Sequence, residues 1–396
     1  MALPLPTPLA AAHSLLCRAY LMEHIEASDG WISFADFMDK ALYAPGLGYY
    51  AAGAGKFGQA GDFVTAPMLT PLFAQTLAQQ IAPVLENSAP YVLEAGAGTG
   101  QLAADLLCTL ERLDALPTEY QILEISPDLR ERQAAHLEKA VPHLVNRVRW
   151  LDQLPQRFSG LVLGNELLDA LPAHRICWQG HEILEQGVSL ERNAAETGFV
   201  WANRPATGPL LAAATQIANE AEERGAPLPL GYISEIGLAA MAWTKSWGNI
   251  LEAGALLLFD YGFPAHEFYH PQRSEGTLMC HYRHHAHGDP FYAPGLQDIT
   301  AHIDFTGLIT AAFPEGLSLL GYTSQGQFLM NCGILPALEE MAHGGFGQAS
   351  VLKSSAAVNQ LILPQEMGEL FKVMALGKGL DLPLVGFSRG DRSHRL

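Results

Sequence analysis

The chain is short of positive charge. Its 396 residues carry 23 Lys and Arg against 41 Asp and Glu, giving a formal net charge of −18 and a pI of about 5.2. An acidic surface repels phosphate backbones, so nucleic acid is excluded as the expected partner and a cationic one, such as a basic peptide, suits better. Cysteine is scarce too. Cys17, Cys108, Cys177, Cys280 and Cys332 are far apart, odd in number and form no CxxC pair. That excludes a disulfide framework and fits reduced thiols in a cytoplasmic protein. Long apolar runs are missing as well: none reaches the ~18 residues that span a bilayer, so no membrane insertion is expected. The opening MALPLPTPLAAAHSLLCR has three prolines and no basic residue before Arg18, which makes a poor signal peptide and no basic presequence. What is present is a globular composition, 49% hydrophobic and 16% charged.

No internal repeat stands out. Residues 1–85 read as a helical preface with a Gly-rich loop. Apolar periodicity covers 12–25, a Ser-capped helix covers 33–42, and the glycine-rich run GLGYYAAGAGKFGQAGDFVTAP covers 46–67. A helix over 71–85 follows. From residue 86 to 396 short apolar runs alternate with amphipathic ones. Strands are expected over 91–96, 120–126, 147–152, 160–166 and 254–262, with helices over 101–113 and 128–139. This alternation predicts an α/β fold with a parallel sheet covered on both faces. An insertion between the fourth and fifth strands, at about 173–252, holds a β ribbon (174–185 with 199–202) and helices over 209–224 and 237–252. It falls at the carboxyl end of the sheet, where ligands bind. A His-rich loop occupies 264–297, and late strands near 318–323 and 370–376 close the domain.

VLEAGAGTG places Glu94 at a strand end and Gly96, Gly98 and Gly100 in the turn before a helix. Glycines permit a tight turn and close ligand approach, and the helix N-terminus favours negative charge. A dinucleotide-binding GxGxxG would need glycine at 101, where Gln101 stands. A carboxylate at 94 suits an ammonium group, which S-adenosylmethionine carries and NAD does not. Glu124 ends the next strand and suits two ribose hydroxyls; Asp152 ends the third and suits an adenine amino group. Further along, LVLGNELLDALP runs from a buried strand into Asn165, Glu166 and, one turn on, Asp169, placed on a short helix. The plainer alternative for both acids is a helix start, where carboxylates complement the dipole.

Taken together, VLEAGAGTGQLAADLL, YQILEISPDLRERQ, GDFVTAP, GNELLDALPAHR, FDYG, MGELFKV and GTLMCHYRHHAHGDPFYAPGLQDITAHIDF resemble the MidA-like family of class I S-adenosylmethionine-dependent methyltransferases. That family includes mitochondrial arginine methyltransferases required for respiratory complex I assembly. The resemblance implies a Rossmann-like class I methyltransferase fold: a mostly parallel seven-stranded sheet, a helical preface and an insertion between strands 4 and 5. It implies S-adenosyl-L-methionine as cofactor and a protein substrate presenting an arginine side chain, with a homodimer left open. Gly61, Asp62 and Thr65 are then expected to line the cofactor, beside Glu94, Gly96, Gly98, Gly100, Glu124, Asp152 and Asn165. At the reacting end, Asn165 and Glu166 at the end of the fourth strand are expected by topology, with Asp169 orienting and Glu235 (in GYISEIG) and Asp260, at the end of the fifth strand, as secondary candidates, because carboxylates localise the charge of a guanidinium by bidentate hydrogen bonding. Met68 and Leu69 after GDFVTAP, and Ala293-Pro294-Gly295-Leu296-Gln297 before DITAH where the family often reads NPGEQ, depart from the family pattern near the site.

HxxHHxH, at His281, His284, His285 and His287, has no fixed zinc spacing and no cysteine pair beside it, so a loop that shapes the substrate mouth is expected and no metal. His302 is expected to be a hydrogen-bonded structural residue. Three rivals remain: an NAD-type oxidoreductase, a non-catalytic cofactor-binding assembly factor, and a small-molecule methyltransferase.

Overall fold

The computed structural model of the chain describes residues 3–52, 65–192, 197–344 and 347–396. Gly61 and Asp62 lie outside the described residues. The chain divides into two compact units. A sheet unit comprises Val64–Leu168, Trp243–Gly262 and Phe305–Leu396. A ribbon unit comprises Met1–Phe63, Asp169–Ala242 and Phe263–Asp304.

The sheet unit is built on β1 (Tyr91–Ala95), β2 (Glu119–Leu123), β3 (Val148–Leu151), β4 (Phe158–Asn165), β5 (Leu251–Phe263), β6 (Ser318–Ser324) and β7 (Phe371–Lys378). Along the main path of the sheet their order is β6-β7-β5-β4-β1-β2-β3. Strands β1 to β5 pair in parallel, and β7 runs antiparallel between β5 and β6. The runs Leu161, Val162, Leu163 and Leu256, Leu257, Leu258 are buried throughout, as strands covered on both faces must be. The helix Gln101–Arg112 buries Leu102, Leu106 and Leu110, at helical spacing, in one core with Leu77, Ile81 and Val84 of the helix Leu72–Asn87. Each such leucine contributes roughly 1.5–3 kcal/mol through burial. Reversal of sheet order next to β1 makes a crevice at the carboxyl ends of β1 and β4, the place where open α/β sheets bind ligands.

In the ribbon unit, strand His174–Gln179 pairs with Glu182–Arg192, which pairs with Thr197–Pro205. Two strands join that sheet beyond those expected: Trp31–Ser33 along Glu182–Arg192, and Tyr232–Ile236 along His174–Gln179. The helices Pro8–Ala27 and Phe34–Tyr43 form where periodicity and the Ser33 cap place them; the Ser33 hydroxyl accepts the Asp36 N–H at 3.0 Å. The His-rich segment is not a plain loop. Met279–Tyr282 pairs with His285–His287 and with Asp298–Thr300 as a small antiparallel sheet. No helix is long and apolar enough to cross a membrane among the described residues.

One local expectation fails. Asp169 does not lie on a short helix: strand β4 ends at Asn165, and no helix precedes the strand that begins at His174. Instead Glu166 takes a left-handed backbone, with φ of 51°, and the chain runs through bends and turns as far as His174. The helix-dipole alternative for Glu166 and Asp169 falls with it.

Candidate functional site

Strand β1 delivers Glu94 into the crevice end of the sheet, 2% exposed. The Tyr120 hydroxyl, from the neighbouring strand β2, donates to Glu94 Oε2 at 2.7 Å. Burial pushes this carboxyl up to about 7, against the pull of the Tyr120 hydrogen bond. A buried acid so poised gains its charge most readily when a cation comes beside it. The chain then turns through Gly96, Gly98 and Gly100, with φ of 69°, 53° and 81°. A Cβ at Gly98 would meet nothing within 4 Å, whereas one at Gly96 would press on Leu167 Cδ1 at 3.0 Å. The turn is open at its centre and closed at its start.

Glu124 follows β2 and is buried. Its Oε1 accepts the Ser126 N–H at 2.9 Å, and its Oε2 accepts Gln133 Nε2 at 3.2 Å. Burial raises its pKa, and those two bonds oppose the rise. Gln133 was not singled out from the sequence, yet it holds this corner together. It is wholly buried, its Nε2 also donates to Gly98 O at 3.0 Å, and its Oε1 accepts Trp150 Nε1 at 2.9 Å. One amide thus ties the glycine turn, Glu124 and strand β3. The available signal was its position four residues before Leu137 on the only buried stripe of the helix Pro127–Ala140. Asp152 sits one residue past β3; its side chain is 86% exposed and pairs with Arg130 at 2.5 Å.

At the end of β4, Asn165 Nδ2 donates to Glu166 Oε1 at 3.2 Å, and the Ala66 N–H donates to the same oxygen at 3.3 Å. Among the described residues Asn165 Oδ1 is buried and accepts no hydrogen bond. The Glu166 N–H donates to Phe259 O at 2.8 Å, which locks the left-handed turn onto β5. Asp260, expected at the end of β5, lies within it, since β5 runs on to Phe263. It is 1% exposed; its Oδ2 accepts the Leu168 N–H at 2.8 Å and its Oδ1 the Tyr261 N–H at 3.1 Å. Asp260 therefore holds the turn that carries Glu166. Thr65 is the N-cap of the one-turn helix Ala66–Leu69.

Asp169 and Glu235 belong to the ribbon unit. Asp169 is buried, its carbonyl accepts the Ala301 N–H at 3.0 Å, and its charge is one of those that raise the Tyr50 phenol, after burial, Asp298 and the neighbouring tyrosines. Glu235 is buried on the strand Tyr232–Ile236; its Oε2 accepts the Thr277 N–H at 2.6 Å and the Thr277 hydroxyl at 3.0 Å, and Arg175 Nε stands 3.5 Å from its Oε1. These contacts tie three segments of the ribbon unit together. His281 and His287 are held below the usual imidazole range chiefly by burial. Among the described residues no group of three or more His, Cys, Asp or Glu could hold a metal ion. His302 stacks on Phe263, centroids 5.5 Å apart, and its N–H donates to Thr277 Oγ1 at 3.1 Å.

S-adenosyl-L-methionine fits what the sheet unit offers. Glu94 suits its ammonium, Glu124 its ribose, the open centre of the glycine turn its close approach, and the buried Asn165 Oδ1 a donor. Comparison with known proteins points to the same cofactor. A family model described as "Putative S-adenosyl-L-methionine-dependent methyltransferase" matches residues 73–323. The mouse protein arginine methyltransferase NDUFAF7, mitochondrial, is 30% identical over 385 residues, covering 90% of this chain and 83% of its own. The zebrafish protein of the same name is 27% identical over 389 residues, covering 90% and 86%. A crystal structure of a Burkholderia thailandensis protein bound to S-adenosyl-homocysteine is 48% identical, with a TM-score of 0.91 over 100% of both chains. The chain belongs to this family and is an S-adenosyl-L-methionine-dependent methyltransferase.

Proposed function

We propose that the chain methylates an arginine side chain on a protein. The observation that carries the proposal is the turn after β4, where Glu166 is held in a left-handed backbone by Phe259 and its carboxylate is oriented by Asn165 and Ala66. A non-glycine residue pays about 1–2 kcal/mol for such a conformation, a cost found at functional sites. The curated relatives are named protein arginine methyltransferases, which supports the same acceptor.

The cofactor supplies an electrophilic methyl group. A guanidinium nitrogen gains that methyl as the sulfur–carbon bond breaks, and the guanidinium releases one proton. The protein's part is orientation and charge. Glu166 faces the guanidinium with a carboxylate that localises its positive charge and aligns the attacking nitrogen. Asn165 fixes Glu166 from one side. Asp260 fixes the turn from below through Leu168. The net charge of −18 draws a basic protein surface. The inserted segment, at about 173–252, is assigned the choice of acceptor. The five free cysteines suit a reducing, cytoplasmic setting.

The test is incubation of the protein with radiolabelled S-adenosyl-L-methionine and a proteome from cells lacking this gene, followed by acid hydrolysis. Label in methylarginine supports the proposal. Label only in a small-molecule fraction overturns it in favour of a metabolite acceptor, and cofactor binding without any transfer overturns it in favour of an assembly factor.

A further inference from the structure

The segment MGELFKV spans residues 367–373. It forms the one-turn helix Met367–Leu370 and the start of β7. Its lysine, Lys372, is 5% exposed, an uncommon fate for an ammonium group. In the antiparallel ladder Lys372 stands directly opposite Asp260 of β5 and, on its other side, opposite Ser324 of β6. Directly opposed residues project from the same face of a sheet, with Cβ atoms about 5 Å apart. A buried cation and a buried carboxylate are thus neighbours on one face, at the sheet end that carries the site.

The lysine is held by the turn that precedes it, and that turn is held in place by Arg392. Lys372 Nζ donates to the carbonyls of Glu369 and, at 3.4 Å, Leu370, and stands 3.8 Å from Glu369 Oε1. Glu369 is gripped by Arg392 through both terminal guanidinium nitrogens, the Nη2–Oε2 bond measuring 3.0 Å. The Arg392 N–H in turn donates to Tyr322 O on β6 at 2.6 Å. On the other side Asp260 accepts the Leu168 N–H, and Leu167 is the side chain that a Cβ on Gly96 would strike. Among the described residues of the sheet unit, the charged groups toward Asp260 include Lys372 on β7, Glu166 on the turn, and Glu369, Arg392 and Arg395 beyond the lysine.

We propose that Lys372 is a positioning residue for methyl transfer: it is the counter-charge that keeps buried Asp260 ionised, so that Asp260 holds the turn bearing Glu166 and presses Leu167 over the glycine turn. A carboxylate in low dielectric keeps its charge only if an opposite charge is near. Without Lys372, Asp260 takes up a proton at a higher pH, and its hydrogen bond to Leu168 weakens from a charge-assisted to a neutral one.

The experiment follows the Leu168 amide by NMR in full-length protein labelled with 15N-leucine, assigned with a Leu168→Met variant. All samples are saturated with S-adenosylhomocysteine, whose ammonium keeps Glu94 charged, and in the parent protein the Leu168 shift is expected to stay flat from pH 5.5 to 8. In Lys372→Met a titration step is expected inside that window, and Lys372→Arg is expected to restore the flat profile. A flat profile in Lys372→Met overturns the proposal, because a merely structural lysine would not alter the charge on Asp260. If Lys372→Met fails to fold, Lys372→Met/Asp260→Asn decides. A folded double variant supports the pairing, since the uncompensated charge has gone, and an unfolded one overturns it.

Discussion

The Tyr120 hydroxyl donates to Glu94 Oε2 across 2.7 Å, and both side chains are shut away from solvent. This bond sets how the cofactor corner responds to pH. With its pKa pushed up to about 7, chiefly by burial, Glu94 is half protonated near neutrality in the absence of a cation. Affinity for S-adenosylhomocysteine should therefore rise as pH goes from 6 to 7.5, as Glu94 becomes charged and meets the ligand's ammonium. Calorimetry over that range measures it. Tyr120→Phe removes the bond that lowers the pKa, so the rise should move to higher pH; a pH-independent affinity would sink this role for Glu94.

The same shift bears on stability, with opposite sign. The folded protein binds the Glu94 proton more tightly than the unfolded chain, whose carboxyl titrates near 4.5. Stability from this group is full below pH 4.5 and is lost as pH rises through about 7, a loss on the order of 3 kcal/mol. Glu94→Gln should flatten that part of the profile in urea melts without ligand, and an unchanged slope would count against it.

Gln133 ties Gly98, Glu124 and Trp150. Gln133→Leu keeps the volume and removes the three bonds, leaving buried polar partners unpaired. A loss of about 1–3 kcal/mol in urea melting is expected, with weaker S-adenosylhomocysteine binding by about tenfold. Stability loss with unaltered binding would confine the residue to structure alone.

At Gly98 the backbone is left-handed and the space beyond it open. Gly98→Ala should cost the ligand-free protein only about 1–2 kcal/mol, the conformational penalty. Cofactor affinity should fall by far more than that penalty predicts, because the new methyl enters the space assigned to the ligand. Equal losses in both would show that the cofactor does not approach there.

Much of this was legible in the sequence because periodicity and glycine placement act locally. The glycine turn, the five parallel strands, the acids at 94 and 124 and the edge at Asn165 follow from apolar runs that stop where a ligand must enter. Other features depend on distant chain segments. Trp31–Ser33 is too short to show a period of two and is a strand only because Glu182–Arg192 lies beside it. Gln133 looks like an ordinary polar helix residue until the glycine turn packs over it. The sequence expectation of a short helix under Asp169 misses that the Glu166 N–H is taken by the Phe259 carbonyl of a distant strand, at a left-handed backbone position. The cross-strand meeting of Asp260 with Lys372 joins residues over a hundred positions apart and leaves no local trace.

The most direct test of the account is Glu166→Gln, which keeps the shape of the side chain and removes its charge. S-adenosylhomocysteine affinity should stay within about threefold of the parent, while labelled methyl transfer to the acceptor proteome falls by about a hundredfold or more, the scale of a lost charge at the reacting end. Undiminished transfer by Glu166→Gln would contradict the placement of the guanidinium at the end of β4.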